Sequence, residues 1–506
     1  MEKVSSFLLW SSILLPAALI FLLVRKKRKN VGIRSRPRPP GPRGWPVVGN
    51  MFDLGSVPHL TLAALRQKHG PVVSLQFGSM KTVVVLSAEA ATELFKNHDL
   101  SFAGRTITEA MRGCSFNESS MALGQYGPYW RALRRICTTE LFINRRLNET
   151  VSIRNKCVDD MLRWIAEEAE EKGSVEVIRF AFLAVFNLVS NLMLSRDLLD
   201  PQSKEGAEFF RLNSTMAGLS GKPNVADFFP SLRWLDPQGI RKKMDECVGR
   251  ALEIASGFVE DHIQNQSLGE EIGKKDFLDV LLEFRGEVKE RVEISDRDLK
   301  VLILEIFLAA TDTTTSTIEW AMAELLRNPG LMSKVQAELD QVVGRGIKIE
   351  EKHMEGLPYL NAVIKETLRL HPPLPFLIPR RAVEDTEYMG YSIVKDTQVL
   401  VHAWAIGRDP SWDDPLSFKP ERFLHSDIDY RGHHFQLIPF GAGRRMCAGL
   451  PLADRMLHLL LGSLLHCFDW TLDGNVMPET LDMEERMGIT LHKAIPLKAI
   501  PKPRMA

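Results

Sequence analysis

With 506 residues, 45% of them hydrophobic, the chain can bury a large core, and its length alone allows about three domains. Its 64 basic and 64 acidic residues cancel, which argues against a nucleic-acid partner drawn in by net charge. The six cysteines form no CxxC pair and follow no regular spacing, so a disulfide framework is not indicated and a reducing compartment fits.

From Phe7 to Val24 the chain is apolar except for Ser11, Ser12 and Pro16. At 1.5 Å per residue this run reaches roughly 27 Å, just enough to span a bilayer. Arg25-Lys26-Lys27-Arg28-Lys29 follows at once, whereas Glu2 and Lys3 cancel ahead of it, so the positive-inside rule leaves the bulk of the chain in the cytosol. A cleaved signal peptide is the rival, but the positive charge is on the wrong flank for one and no small-residue cleavage site ends the run. With a cytosolic domain, the sequons at Asn117, Asn148, Asn213 and Asn265 are ordinary asparagines. Pro37-Arg38-Pro39-Pro40-Gly41-Pro42 favours extended backbone. Residues 31–50 therefore read as a stiff hinge between an anchor and basic flank at 1–30 and a single catalytic domain at 51–506.

Val72 to Phe77 and Thr82 to Leu86, rich in β-branched residues, flank Gly78-Ser79 and predict a hairpin. Most later segments carry helical periodicity, so the fold class is mainly α with small β-sheets. In a helix beginning near Pro128, Trp130 and Arg134 stand four apart on one face, where an indole N–H and a guanidinium can both donate to a carboxylate. An aromatic packing contact beside a surface arginine is the plainer explanation. The stretch before it, Ala103 to Tyr126, is aperiodic. Between Asn148 and Arg291 there are amphipathic helices and charged connections, with no reactive constellation.

Ser295-Asp296-Arg297-Asp298 predicts a capped helix start, and the helix runs long and apolar from Leu299 to Arg327, ahead of Asn328-Pro329-Gly330. Its middle, Ala309-Ala310-Thr311-Asp312-Thr313-Thr314, places a carboxylate and hydroxyls where burial is costly unless they are hydrogen-bonded. The threonines can bond back to their own helix carbonyls. The functional alternative is proton delivery. Glu366-Thr367-Leu368-Arg369 pairs opposite charges three apart before Pro372-Pro373 ends the helix; alone, such a pair is a solvated surface contact. Leu374 to Pro379 is apolar until Arg380.

In Phe440-Gly441-Ala442-Gly443-Arg444-Arg445-Met446-Cys447-Ala448-Gly449 two arginines stand just before a single cysteine, and the apolar helical pattern Leu450 to Leu465 follows. A cysteine at a helix start is a candidate metal ligand, because unpaired N–H groups and the helix dipole lower the thiol pKa and stabilise an anion. The glycines let backbone approach a flat ligand closely, and Arg445 offers planar donors suited to a carboxylate. Otherwise a lone cysteine beside a helix is a small buried hydrophobe.

The pattern Phe-x-x-Gly-x-Arg-x-Cys-x-Gly resembles the haem-binding loop of the cytochrome P450 family, and the other motifs occur in that family's order over about residues 31 to 500. The resemblance implies the cytochrome P450 fold behind one transmembrane helix. It implies haem b with Cys447 as axial thiolate, Phe440 and Gly449 beside the sulfur, and Trp130, Arg134, Arg380 and Arg445 toward the propionates. Asp312 becomes the relay acid and Thr313 the hydroxyl that steers protons and water, with Ala310 where glycine is usual, narrowing the oxygen groove slightly. Glu366, Arg369 and Arg422, the last from Phe418-Lys419-Pro420-Glu421-Arg422-Phe423, become one buried network. Phe376, Leu377, Ile378, Ala309 and Ile489, with Met487 and Thr490 more weakly, are expected at an apolar substrate pocket under the Ala103–Tyr126 loop.

Phrases such as Asn50-Met51-Phe52-Asp53-Leu54-Gly55 and Trp404-Ala405-Ile406-Gly407-Arg408-Asp409-Pro410 are similar to plant microsomal members, most narrowly the seventy-six family of geraniol hydroxylases and iridoid oxidases. The implied activity is hydroxylation or further oxidation of a small lipophilic plant metabolite, a monoterpenoid or iridoid first, with dioxygen. No Gly-x-Gly-x-x-Gly occurs and no length remains for a flavin domain, so electrons are expected from NADPH through a cytochrome P450 reductase in the endoplasmic reticulum membrane. Another terpenoid, a phenolic or an alkaloid is the alternative substrate. An oxygen-independent isomerase or dehydratase, or a haem carrier, is the alternative class.

Overall fold

The structure, a computed structural model, describes residues 36–55, 57–267, 276–284, 294–474 and 476–504. The apolar run at 7–24 and the basic block after it, on which the expected membrane anchor rests, lie outside these residues. Helices dominate, and the described strands fall into four small sheets.

The largest sheet comprises β1 (Val72–Phe77), β2 (Met80–Val85), β3 (Gly104–Arg105), β4 (Arg380–Arg381) and β5 (Gln398–Val401), in the spatial order β1-β2-β5-β4-β3. β1 and β2 form the expected hairpin. Its second strand starts earlier than the β-branched run, because Met80 and Lys81 already pair with Phe77 and Gln76. β2 and β5 run parallel, with Val84 opposite Leu400, and β5 pairs with β4, which draws the segment around Arg380 to the loop at Gly104.

The proline-rich stretch differs from a bridging hinge. The Pro40 carbonyl accepts from Ser74 N–H at 2.8 Å and the Pro37 carbonyl from Ser392 N–H at 3.0 Å, so its described part is laid against the sheets. Prolines suit such an edge because they leave no unpaired donor. A Cβ on Gly41 would fall 1.9 Å from Ser74 O, so the close approach requires glycine.

Seven helices position the site: α1 (Pro128–Ile136), α2 (Val177–Leu194), α3 (Lys204–Gly221), α4 (Ile240–Ser267), α5 (Asp296–Arg327), α6 (Pro358–Leu370) and α7 (Leu450–Cys467). α5 opens with a capping box, in which Ser295 Oγ accepts from Asp298 N–H at 3.1 Å and Asp298 Oδ2 from Ser295 N–H at 2.9 Å. α2 and α5 are each long and apolar enough to cross a membrane, yet both are mostly buried. α2 is apolar on every side because α5, the helix Val151–Lys172 and the helix Phe277–Phe284 pack around it. Phe186 of α2 holds Phe209 of α3 and Phe307 of α5 with ring centroids 4.9 and 4.6 Å away, tying three helices into one core.

Candidate active site

A cavity of about 400 Å³ is bounded by α2, α3, α4 and α5 and by the segment preceding α7. Cys447 lines it, and its exposed surface is surface of the cavity. Cys447 N–H donates to Phe440 O at 3.0 Å, which folds the loop back on itself. Gly443 turns the loop at φ +68°, and a Cβ there would lie 2.6 Å from Asp99 Oδ1, so both backbone and space require glycine. Phe440 lines the cavity and packs on Tyr430 at 5.4 Å, while a Cβ on Gly449 would stand 3.9 Å from the sulfur.

The thiol departs from the sequence argument. Burial pushes its pKa up, against the lowering effect of the Gly449 and Leu450 N–H groups at the head of α7 and of Arg134. The helix terminus acts as expected, but desolvation, which no motif reveals, outweighs it. A metal ion bound there would displace the proton outright.

Four arginines line the same cavity: Arg105, Arg134, Arg380 and Arg445. Arg445 donates from Nε and Nη2 to Ala103 O at 3.1 and 3.0 Å and from Nη2 to Gly124 O at 2.8 Å. Its Nη1 is buried with no hydrogen-bond partner among the described residues. Burial first, then Arg380, lower the Arg445 pKa to about 10. Arg105 donates to Ala122 O at 2.9 Å and Ile378 O at 2.8 Å, and it is pushed down by burial and then by Arg445 and Arg380. The Arg134 side chain makes no hydrogen bond or ion pair with the described residues; its charge acts on Cys447.

Arg380 is held by Asp99 Oδ1 at 2.8 Å and Ala442 O at 3.2 Å. The other oxygen of Asp99 accepts from Arg444 N–H at 2.9 Å and from its guanidinium at 3.1 Å, so one buried carboxylate ties Arg380 to the cysteine loop. Neither Asp99 nor Arg105 carries a sequence signal: Asp99 lies in a turn and Arg105 in the two-residue strand β3, and both bind groups far from them in sequence.

Trp130 also differs from expectation. Its indole N–H donates to Met121 O at 2.7 Å, and its ring lies 4.3 Å under the Arg445 guanidinium, so it braces the arginine and is not free to donate to a carboxylate. The reason lies in Glu305 of α5, which pulls the loop inward by accepting from Met121 N–H at 2.7 Å, Ala122 N–H at 3.0 Å and the Ser120 hydroxyl.

On α5, Ala309, Ala310, Asp312 and Thr313 line the cavity. The Thr313 hydroxyl donates to Ala309 O at 2.8 Å and that of Thr311 to Phe307 O at 2.7 Å, so helix back-bonding and cavity exposure coexist in Thr313, and its oxygen lone pairs remain for a ligand. Asp312 Oδ1 is 3.2 Å from His492 Nε2.

Leu377, Ile378, Ile489 and Thr490 line the cavity, whereas Phe376 and Met487 do not. Leu377 sits at φ +53°, a sharp turn after which the chain changes direction, and Phe376 packs instead against His402 at 4.6 Å. Met487 lies in the strand β6 (Glu485–Met487), paired with Leu491 of β7 (Leu491–Lys493). Val185 and Leu188 of α2, Met216 and Ala217 of α3 and Val248 of α4 complete the apolar wall, from a region where periodicity showed only packing.

Behind the site, Glu366 accepts from Arg369 Nε and Nη2 at 2.7 and 2.8 Å, from Arg422 Nε at 3.0 Å and from Lys419 N–H at 2.7 Å. The Glu366 and Arg369 side chains are fully buried, which sets this pair apart from a solvated i,i+3 contact.

The family model for cytochrome P450 matches residues 39–498. The chain belongs to the cytochrome P450 family. It is 49% identical to the iridoid oxidase of Catharanthus roseus over 98% of this chain and 97% of that one. It is 46% identical to the geraniol 8-hydroxylase of the same plant over 92% of this chain and 94% of that one. A zebrafish cytochrome P450 solved with progesterone shares the fold with a TM-score of 0.75 at 28% identity, covering 88% of this chain and 99% of the other. A cytochrome P450 carries haem iron and acts as a monooxygenase, and the residues here fit that group. A sulfur faces the cavity, four arginines crowd it with few carboxylates to offset them, and the orphaned Arg445 Nη1 needs an acceptor.

Proposed function

We propose that the chain is a membrane-anchored monooxygenase that hydroxylates, or oxidises further, a monoterpenoid or iridoid. The carrying observation is one cavity that joins an apolar wall from α2, α3 and α4 to Cys447, the arginines and the Asp312–Thr313 face of α5. Away from the arginines and the Asp312–Thr313 face the polar lining is sparse, with Asn213, Ser220 and Thr490 set among apolar side chains, which suits a small lipophilic molecule. The names borne by the Catharanthus relatives support the substrate class.

Cys447 would hold haem b, with Arg134 and Arg445 to meet its carboxylates and Arg380 to lend charge, and the group so bound would supply dioxygen activation. The chain's own residues do the rest. The apolar wall excludes water and holds the substrate. Thr313 presents an oxygen that can hold a water, and Asp312 beside it holds and passes protons. Glu305 keeps the Ser120–Ala122 loop against the cavity. Electrons come from an NADPH–cytochrome P450 reductase. Residues 7–24 anchor the chain in the endoplasmic reticulum membrane, with the domain at 51–506 in the cytosol.

The test is haem-loaded protein with reductase, NADPH and dioxygen, given monoterpene alcohols, iridoids, phenolics and alkaloids, with products identified by mass spectrometry. A hydroxylated or further oxidised monoterpenoid or iridoid, formed only with NADPH, is expected. Product from a phenolic or alkaloid alone refutes the substrate class. A thiolate-type carbon-monoxide Soret band without product from any compound favours the isomerase, dehydratase or carrier reading.

A further inference from the structure

Asp312 has two sides. It lines the main cavity, and it also lines a second, water-sized cleft of about 30 Å³ shared with Asn213, Ser214, Thr315, Arg486 and His492. That volume and that number of polar partners suffice to hold a water. Arg486 is exposed at the cleft, whereas the His492 side chain is only 12% exposed. His492 Nε2 lies 3.2 Å from Asp312 Oδ1, and its Nδ1 is buried without a hydrogen-bond partner among the described residues.

The β6–β7 hairpin that carries His492 is pinned at both ends. Leu491 O accepts from Ser316 Oγ at 2.8 Å and Trp320 Nε1 at 3.2 Å, both on α5. Glu485 takes His59 Nε2 at 2.6 Å and Trp404 Nε1 at 3.1 Å. The charged groups facing His492 are Asp312 and Glu319 from α5 and Arg486 from its own hairpin; burial lowers its pKa, but the two acids outweigh burial and Arg486 and leave it raised.

We propose that His492 is the positioning residue behind Asp312 through which protons reach it from solvent. When the hairpin moves enough to let cleft water reach the buried Nδ1, that nitrogen takes a proton from it, the N–H bond at Nε2 breaks as an O–H bond forms at Asp312 Oδ1, and the imidazole is left neutral in its other tautomer. Exchange with cleft water restores the first tautomer. His492 touches neither substrate nor haem and acts through Asp312 alone. The inference rests on the monooxygenase reading.

Two measurements on the haem-loaded protein test it. The first is melting temperature from pH 6 to 9 for the wild type, Asp312→Asn, His492→Gln and the double variant. A raised folded pKa means that the pair's stabilisation is full below the ordinary histidine value of about 6.5 and is lost as pH rises through the folded value. Each single variant is expected to remove that fall and the double variant to remove no more; additive effects overturn the pairing. The second is product formed per NADPH consumed. His492→Gln can still donate to Asp312 but cannot carry a proton, so with unchanged carbon-monoxide and substrate-binding spectra its yield should drop about tenfold. An unchanged yield overturns the relay. The thermal cycle needs no substrate, so absence of any product would count against the proposed activity and with it the relay, while the melting data would still decide the Asp312–His492 pairing.

Discussion

Gly443 shows how much of the site hangs on single atoms. Its φ of +68° and the 2.6 Å from a would-be Cβ to Asp99 mean that Gly443→Ala must strain the backbone and displace the carboxylate that holds Arg380. A loss of about 1–3 kcal/mol is expected, read as a lower melting temperature and lower haem content. Cys447→Ser removes the sulfur that faces the cavity. The thiolate-type Soret band should vanish and oxidation of the natural compound should fall at least 100-fold; an undiminished rate would sink the assignment. Cys447, Asp312 and Thr313 each sit in a short local pattern, and the resemblance of those patterns to the family's motifs marked them out. The same logic could not reach Asp99, whose partners are residues 380 and 444.

At the scale of elements, α6 is fastened by the Glu366 carboxylate. Removing one partner leaves a charge buried without its match, so Glu366→Ala or Arg369→Ala should cost about 3–5 kcal/mol and yield little haem-loaded protein. Normal haem occupancy in either variant would refute the role. The short helix Ala403–Ile406 gives a pH-dependent case. His402 donates from Nε2 to His59 O at 2.9 Å and accepts at Nδ1 from Ala405 N–H at 3.2 Å, which fixes the neutral ring. Burial above all lowers its pKa to about 3. Below the ordinary value of about 6.5 the unfolded chain takes up a proton that the folded one refuses, so stability should decline by up to ~1.4 kcal/mol per pH unit on acidification. His402→Asn keeps the cap acceptor and should flatten that slope between pH 6.5 and 5 in denaturation measurements.

For the molecule as a whole, the described residues that wall the cavity all come after the docked proline stretch. Removal of residues 1–35 is therefore expected to keep the thiolate-type carbon-monoxide spectrum while shifting the protein from the membrane to the soluble fraction, as fractionation and difference spectra would show. Loss of the spectrum would mean that the N-terminal segment supports the fold. The two apolar helices α2 and α5 make the complementary point: by composition alone either could cross a bilayer, and only their mutual packing places them in the core.

What was legible without coordinates was local: the cysteine loop ahead of a helix, the threonine-rich turn, the capping box at Ser295, the Glu366–Arg369 pair and the β1–β2 hairpin. Each depends on residues close together in the chain, from three apart in the capping box and the ion pair to the span of one tight hairpin, where covalent geometry limits the distance. What needed the folded chain was the bracing of Trp130 against Arg445, the turning of Phe376 away from the cavity, the docking of Pro37–Pro42, the Asp312–His492 pair and the sign of the Cys447 shift. Those outcomes depend on which distant segments meet and on how much water leaves when they do, and neither quantity is a property of a short stretch of sequence.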